Sequence, residues 1–218
     1  MADMFKKKKY RKAVAFGSIF ISGTQLTGYL YIINYATTIF KETSDAETSQ
    51  IFTIILGCVS LFASLCSGPI IQRFGRKIII LIGFLMVAIS HFIFMAISLN
   101  DSKSEALKYM VILVLFFYVI TLGAVKWVYL GDILKGPGLG IANMINFTTA
   151  FTVTQVGPII SESVGPSETF AIFGVACGLC FFFALFFLKE TKGLSYFETL
   201  NIFNKEFKLR KQTGRFTQ

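Results

Sequence analysis

Six long stretches of this chain carry almost no charge, and they constrain the fold more than any other feature. They run over residues 13–40, 48–72, 78–100, 109–131, 136–161 and 169–188. A hydrocarbon core about 30 Å thick is crossed by roughly 20 apolar residues in helical form. Five stretches reach that length without interruption, and the fourth holds Lys126 but stays apolar to Gly131. Inside hydrocarbon, each backbone N–H and C=O must find its partner within its own segment. The expectation is therefore an all-α membrane protein with six transmembrane helices over residues 13–188, flanked by a basic arm (1–12) and a tail (189–218).

Composition agrees. The chain is 54% hydrophobic and 15% charged, with 25 Phe among its 218 residues. Soluble domains run near 25% charged, and an aqueous fold of this length could not hide so much apolar surface. The basic start does not mark a secretory signal, because the apolar run behind it is too long and lacks a small-residue cleavage site. Cys58, Cys66, Cys177 and Cys180 all fall inside apolar stretches. The Cys177-x-x-Cys180 spacing has no supporting His or second pair, so these read as small packing residues. Neither a metal nor a cofactor is expected. With no catalytic dyad, metal cluster or phosphate loop in the sequence, an enzyme is the least favoured class.

Charge placement gives the orientation. The arm carries Lys6, Lys7, Lys8, Lys9, Arg11 and Lys12 against Asp3, and the loop after the second stretch carries Arg73, Arg76 and Lys77. Together with the basic tail, these segments put a net +12 on one side, against −4 in the opposite loops. Lys and Arg collect on the cytoplasmic side, so both termini are expected there. The high pI follows from this bias and implies no nucleic-acid partner. Juxtamembrane lysines also suit anionic lipid.

Polar groups inside a membrane are expensive and usually functional. The first stretch is richest in them. Ser18, Ser22, Gln25 and Tyr29 fall along one helical stripe, and Thr24, Thr27, Tyr31, Asn34 and Thr38 along its neighbour. Amides that both donate and accept, set beside aromatic rings, suit a neutral polyhydroxylated solute. Interhelical hydrogen bonding is the plainer reading. Lys126 is expected to snorkel toward the cytoplasmic end near Asp132, with selection of an anionic substrate as the functional alternative. His91 is expected to be a buried, hydrogen-bonded histidine, with a proton relay as its alternative.

Several motifs resemble the C-terminal half of the sugar porters of the major facilitator superfamily, the glucose-transporter-like proteins. Asp3-Met4-Phe5 with Tyr10-Arg11-Lys12 is similar to the end of that family's central loop. Gln25-Leu26-Thr27-Gly28, then Asn34-Tyr35 and Thr38-Ile39-Phe40, resemble its seventh helix. Arg73-Phe74-Gly75-Arg76-Lys77 matches its turn between helices eight and nine, and Trp127 through Asp132 resembles the end of its tenth. Glu190-Thr191-Lys192-Gly193, followed by Glu198, matches the motif after its twelfth helix.

The resemblance implies half of a major facilitator fold and transport of a hexose-like sugar by alternating access. It implies substrate contacts at Gln25, Thr24, Tyr29, Trp127 and Thr149, and an extracellular gate at Asn34 and Tyr35. It implies a cytoplasmic charge latch of Arg73, Arg76, Lys77, Asp132 and Glu190, and the plasma membrane rather than an internal one. The sequence departs from the family at Thr24, Leu30, Ser60, Lys126 and Thr149-Ala150, where other residues are expected. Since such porters bind substrate between two six-helix halves, the implied partners are the sugar, the bilayer, and an N-terminal half or a second copy. The alternative is a non-transporting membrane sensor or a regulatory partner of a full-length porter.

Overall fold

The computed structural model describes residues 8–41, 45–101, 104–195 and 198–199. The first seven residues of the basic arm and residues 200–218 of the tail lie outside the described residues, so most of their charge has no structural account. Apart from short connections and the non-helical segment 188–195, the described chain is helical: α1 (Lys8–Gln25), α2 (Tyr29–Lys41), α3 (Ala46–Phe74), α4 (Arg76–Asn100), α5 (Ala106–Phe117), a π-helical turn (Tyr118–Gly123), α6 (Ala124–Ile133), α7 (Pro137–Val164) and α8 (Pro166–Phe187).

These helices make six spans. Four are continuous and apolar enough to cross a bilayer outright: α3, α4, the run Ala106–Ile133 and α8. The other two differ for identifiable reasons. The first span is two helices, because the chain breaks at Leu26-Thr27-Gly28. The fifth, α7, carries Asn143, Asn146, Thr148, Thr149, Thr152 and Gln155 within its length, which lowers its hydropathy while leaving it 28 residues long.

The break in the first span requires glycine. Gly28 has φ +76°, and a Cβ there would lie 2.5 Å from the Phe173 ring. Left-handed backbone is strained for any L side chain, so both conformation and space exclude one. Two further boundaries follow ordinary capping rules. Asp45 accepts the Thr48 N–H at 3.2 Å and opens α3. Pro137 and Pro166 sit in the first turns of α7 and α8, where the missing N–H costs nothing.

The helices pack as a bundle. α4 packs most extensively on α8, and α1 on α7. The core holds Phe20, Ile21, Ile80, Phe84, Phe94, Tyr118, Leu122, Tyr129 and Phe170, all nearly or fully buried. Large apolar side chains also cover the outside: Ile54, Leu61, Phe62 and Leu65 on α3, Met144 and Phe151 on α7, and Leu179, Phe182 and Phe186 on α8. Apolar residues facing outward as well as inward define a protein whose solvent is lipid. This is an integral membrane protein.

Candidate substrate-facing and charge-cluster sites

The broken first span sets up the central site. At the break, the Thr27 carbonyl has no helical partner further along the chain. The His91 ring, fully buried on α4, lies 3.0 Å from it through Nε2. A carbonyl only accepts, so Nε2 carries the proton and donates. His91 packs edge-on against Phe170. The histidine is thus buried and hydrogen-bonded, as the sequence reading expects, and it holds the break.

Gln25, the last residue of α1, is buried and donates through Nε2 to Asn146 Oδ1 on α7 at 2.5 Å. Its side-chain oxygen Oε1 is buried with no hydrogen-bond partner among the described residues. One turn earlier on α7, Asn143 Oδ1 is in the same position. Buried polar atoms are normally satisfied, and orphans call for an explanation. Thr149, a further turn along, donates to Ser22 Oγ at 3.2 Å. Sequence reasoning singled out Gln25 and Thr149 but missed Asn143 and Asn146. Their signal was present as Asn-x-x-Asn-x-x-Thr, three polar groups on one helical face. Thr24 is fully buried and its hydroxyl is spent on the Ile21 carbonyl at 2.7 Å.

A second group opens on a depression of about 410 Å³. Tyr29, at the start of α2, stacks on Tyr118 with centroids 4.0 Å apart. Ser64, Lys126 and Trp127 also line it, with Val119, Gly123 and Ala124. Lys126 does not reach for the charged end of α6. Its ammonium donates to the Tyr118 hydroxyl at 2.6 Å and lies 4.7 Å from the Tyr29 ring centroid. The cause is the π turn. Residues eight apart are about 80° out of line on a regular α-helix. The extra residue absorbed between Tyr118 and Gly123 takes up most of that angle. Such turns recur at functional sites.

Asn34 and Tyr35 do not act on each other. Asn34 is exposed and donates to the Leu30 carbonyl of its own helix at 2.8 Å. Tyr35 stacks on Tyr31 at 5.7 Å.

The charged residues gather at the other end of the bundle. Gly75, with φ +88°, ends α3 and starts α4. The first N–H groups of α4 have no partner within the helix, and Glu190 supplies one. Its carboxylate accepts from the backbone N–H of Arg76 and Lys77 at 3.0 Å each, and of Thr191 and Lys192 at 3.0 and 2.9 Å. Burial alone would raise the Glu190 pKa. The four N–H bonds outweigh it and hold the carboxyl below its ordinary value. Arg76 Nε pairs with Asp132 Oδ2 at 3.1 Å, joining α4 to α6, and Thr191 Oγ1 donates to the same oxygen at 2.7 Å. Lys77 Nζ caps the Leu185 carbonyl at 3.1 Å, and Lys192 Nζ caps the Arg73 carbonyl at 2.7 Å. Among the described residues, then, Arg76–Asp132 is the side-chain ion pair of this group, while Glu190 acts on a helix end.

The fold and these two sites define a polytopic membrane protein built as a bundle of six spans, with a polar interior face and a charged end. The chain matches the sugar (and other) transporter family over residues 1–203, and it belongs to that family. It is 30% identical over 207 residues to the facilitated trehalose transporter Tret1 of Polypedilum vanderplanki, covering 88% of this chain and 40% of that protein. It is 26% identical to hexose transporter 1 of Plasmodium falciparum, with 88% and 40% covered. Its fold matches the major facilitator proton:xylose symporter XylE solved with 6-bromo-6-deoxy-D-glucose, at TM-score 0.79 and 21% identity, over 88% of this chain and 42% of that one. A partially occluded, inward-open form of XylE from E. coli matches at TM-score 0.67 and 20% identity, over 86% of this chain and 44% of that one. The chain therefore spans about 40% of the length of the relatives it matches, and its six spans form half of a major facilitator fold.

Proposed function

We propose that this chain moves a sugar across a membrane by alternating access, as the C-terminal half of a porter whose site is completed by a second half. One observation carries the reading most directly. Gln25, fixed by Asn146, holds a carbonyl oxygen in the bundle interior with no partner. A sugar hydroxyl is the donor that would satisfy it. The stacked Tyr29 and the half-exposed Trp127 lie beside an open depression, and aromatic faces of this kind suit the C–H face of a sugar ring. The relatives named for trehalose and hexose transport point to the same class of solute.

The broken first span fits this role. In transporters, interrupted helices near the midplane form the substrate site. Asn34 and Tyr35, beyond the break, would act as an extracellular gate. Arg76 and Asp132 would act as a cytoplasmic latch, paired while that side is closed and parted when it opens, biasing a two-state equilibrium. The positive charge at this end sets both termini in the cytoplasm, and the plasma membrane is the expected location.

The test is uptake of labelled hexoses in cells lacking their own carriers. The chain is expressed alone and together with the N-terminal half of a sugar porter. Saturable uptake that needs the second half and disappears in Gln25→Ala is the expected result. Protein present in the membrane without uptake in either arrangement would overturn the proposal.

A further inference from the structure

Among the described residues, the lysine in the depression has no counter-ion. Lys126 is 3% exposed. Its ammonium has the Tyr118 hydroxyl at 2.6 Å, with the rings of Tyr29, Tyr118 and Trp127 at 4.7, 5.2 and 5.5 Å. Among the described residues no carboxylate pairs with it, and the wall of the depression contains no acidic residue. Asp132, six positions along the chain, is engaged by Arg76 and Thr191.

Phenol and ring faces offset part of the cost of burying a cation. They leave its charge unneutralised, and a buried charge is ordinarily paired. One of the three ammonium N–H donors is used by Tyr118, so two remain to be satisfied. The π turn brings Lys126 closer into line with Tyr118, and the ammonium rests on that hydroxyl inside the bundle. The polar partners and the aromatic platform therefore surround a fixed positive charge at the place where a sugar would stack.

We propose that Lys126 receives a carboxylate carried by the sugar, so that this depression selects hexuronate-type sugar acids over neutral hexoses. A carboxylate brings full opposite charge and accepts the two remaining N–H donors. A neutral hydroxyl brings no charge. The assignment rests on the sugar-transport reading and makes Lys126 a specificity-determining residue of that site.

Trp127 provides the measurement, because it is the single tryptophan of the chain and borders the same depression. The full chain is placed in lipid nanodiscs and titrated with D-glucuronate, D-glucose and acetate while Trp127 emission is followed. The expected result is saturable quenching by glucuronate at a concentration at least about tenfold below that for glucose, a gap of about 1.4 kcal/mol. Acetate should be weak, because it lacks the ring. Lys126→Gln should erase the preference for glucuronate over glucose, and Lys126→Arg should keep it. Monodisperse elution and unchanged helical circular dichroism show that each variant is folded. Equal affinity for both sugars, a preference that survives in Lys126→Gln, or acetate as tight as glucuronate would overturn the assignment and leave sugar transport standing. Quenching by neither sugar would overturn the Lys126 assignment for this chain, and uptake with the added N-terminal half separately decides the transport reading.

Discussion

Glu190 closes the start of α4 from a position 114 residues away: its Oε1 accepts the Arg76 N–H at 3.0 Å. The contact ties the segment after the last span to the turn between the second and third. It also explains why a carboxylate is stable at the basic end of the bundle. Helix N-termini carry partial positive charge, and a carboxylate there is worth more than a neutral acceptor.

Glu190→Gln tests that contact. The amide keeps the shape but loses charge, so stability should fall by about 1–2 kcal/mol. The sign of the pH effect follows from the lowered pKa. Stability from Glu190 is complete above the ordinary carboxylate range and is lost as pH falls through the depressed folded value. Thermal unfolding in detergent should therefore show wild type losing stability below about pH 4, with the loss from this group missing in the variant. Parallel melting curves across acid pH would contradict it.

Gly28→Ala should cost at least about 2 kcal/mol, combining left-handed backbone strain with overpacking. The added Cβ would sit 2.5 Å from Phe173. Phe173→Leu in the same chain should recover the packing part and leave the backbone part. A variant that melts like wild type would mean that the break can be made without a left-handed residue.

His91→Phe leaves the Thr27 carbonyl unpaired in the bundle interior, a loss of about 1–3 kcal/mol. His91→Gln can still donate to it and should lose less. Because the ring serves the backbone at the break, uptake by His91→Gln should keep the wild-type pH profile. A flattened profile would assign His91 to proton transfer instead.

Gln25 and Asn146 should be energetically coupled. A double-mutant cycle of Gln25→Ala and Asn146→Ala is expected to give an interaction of about 0.5–1.5 kcal/mol. Both single variants should also weaken sugar uptake. Strict additivity in unfolding would show that the short contact contributes little.

Arg76→Ala and Asp132→Ala should each slow uptake several-fold if their pair biases the transport cycle. The exchange Arg76→Asp with Asp132→Arg should recover part of the rate. A single partly exposed pair contributes little to stability, so the readout is uptake rather than melting. Two single variants with wild-type rates would remove the latch.

The sequence by itself determined the class and the order of the spans. Runs such as 78–100 and 169–188 are too long and too apolar for anything but a crossing helix, because a bilayer offers the backbone no water. Gly75, Arg76 and Glu190 were legible as short motifs that resemble the family's, which implied a charge latch; the place of Glu190 at the start of α4 came only from packing across 114 residues. What tertiary structure decided was which polar groups meet. Gln25 finds Asn146 across 121 residues, and His91 finds the carbonyl exposed by the break at Gly28. The direction of Lys126 was also undecided locally, as the expected snorkelling gave way to Tyr118. Whether a polar side chain in hydrocarbon turns toward a neighbouring helix, a cavity or the interface depends on which partner lies within about 3 Å. That distance is set only when the helices pack.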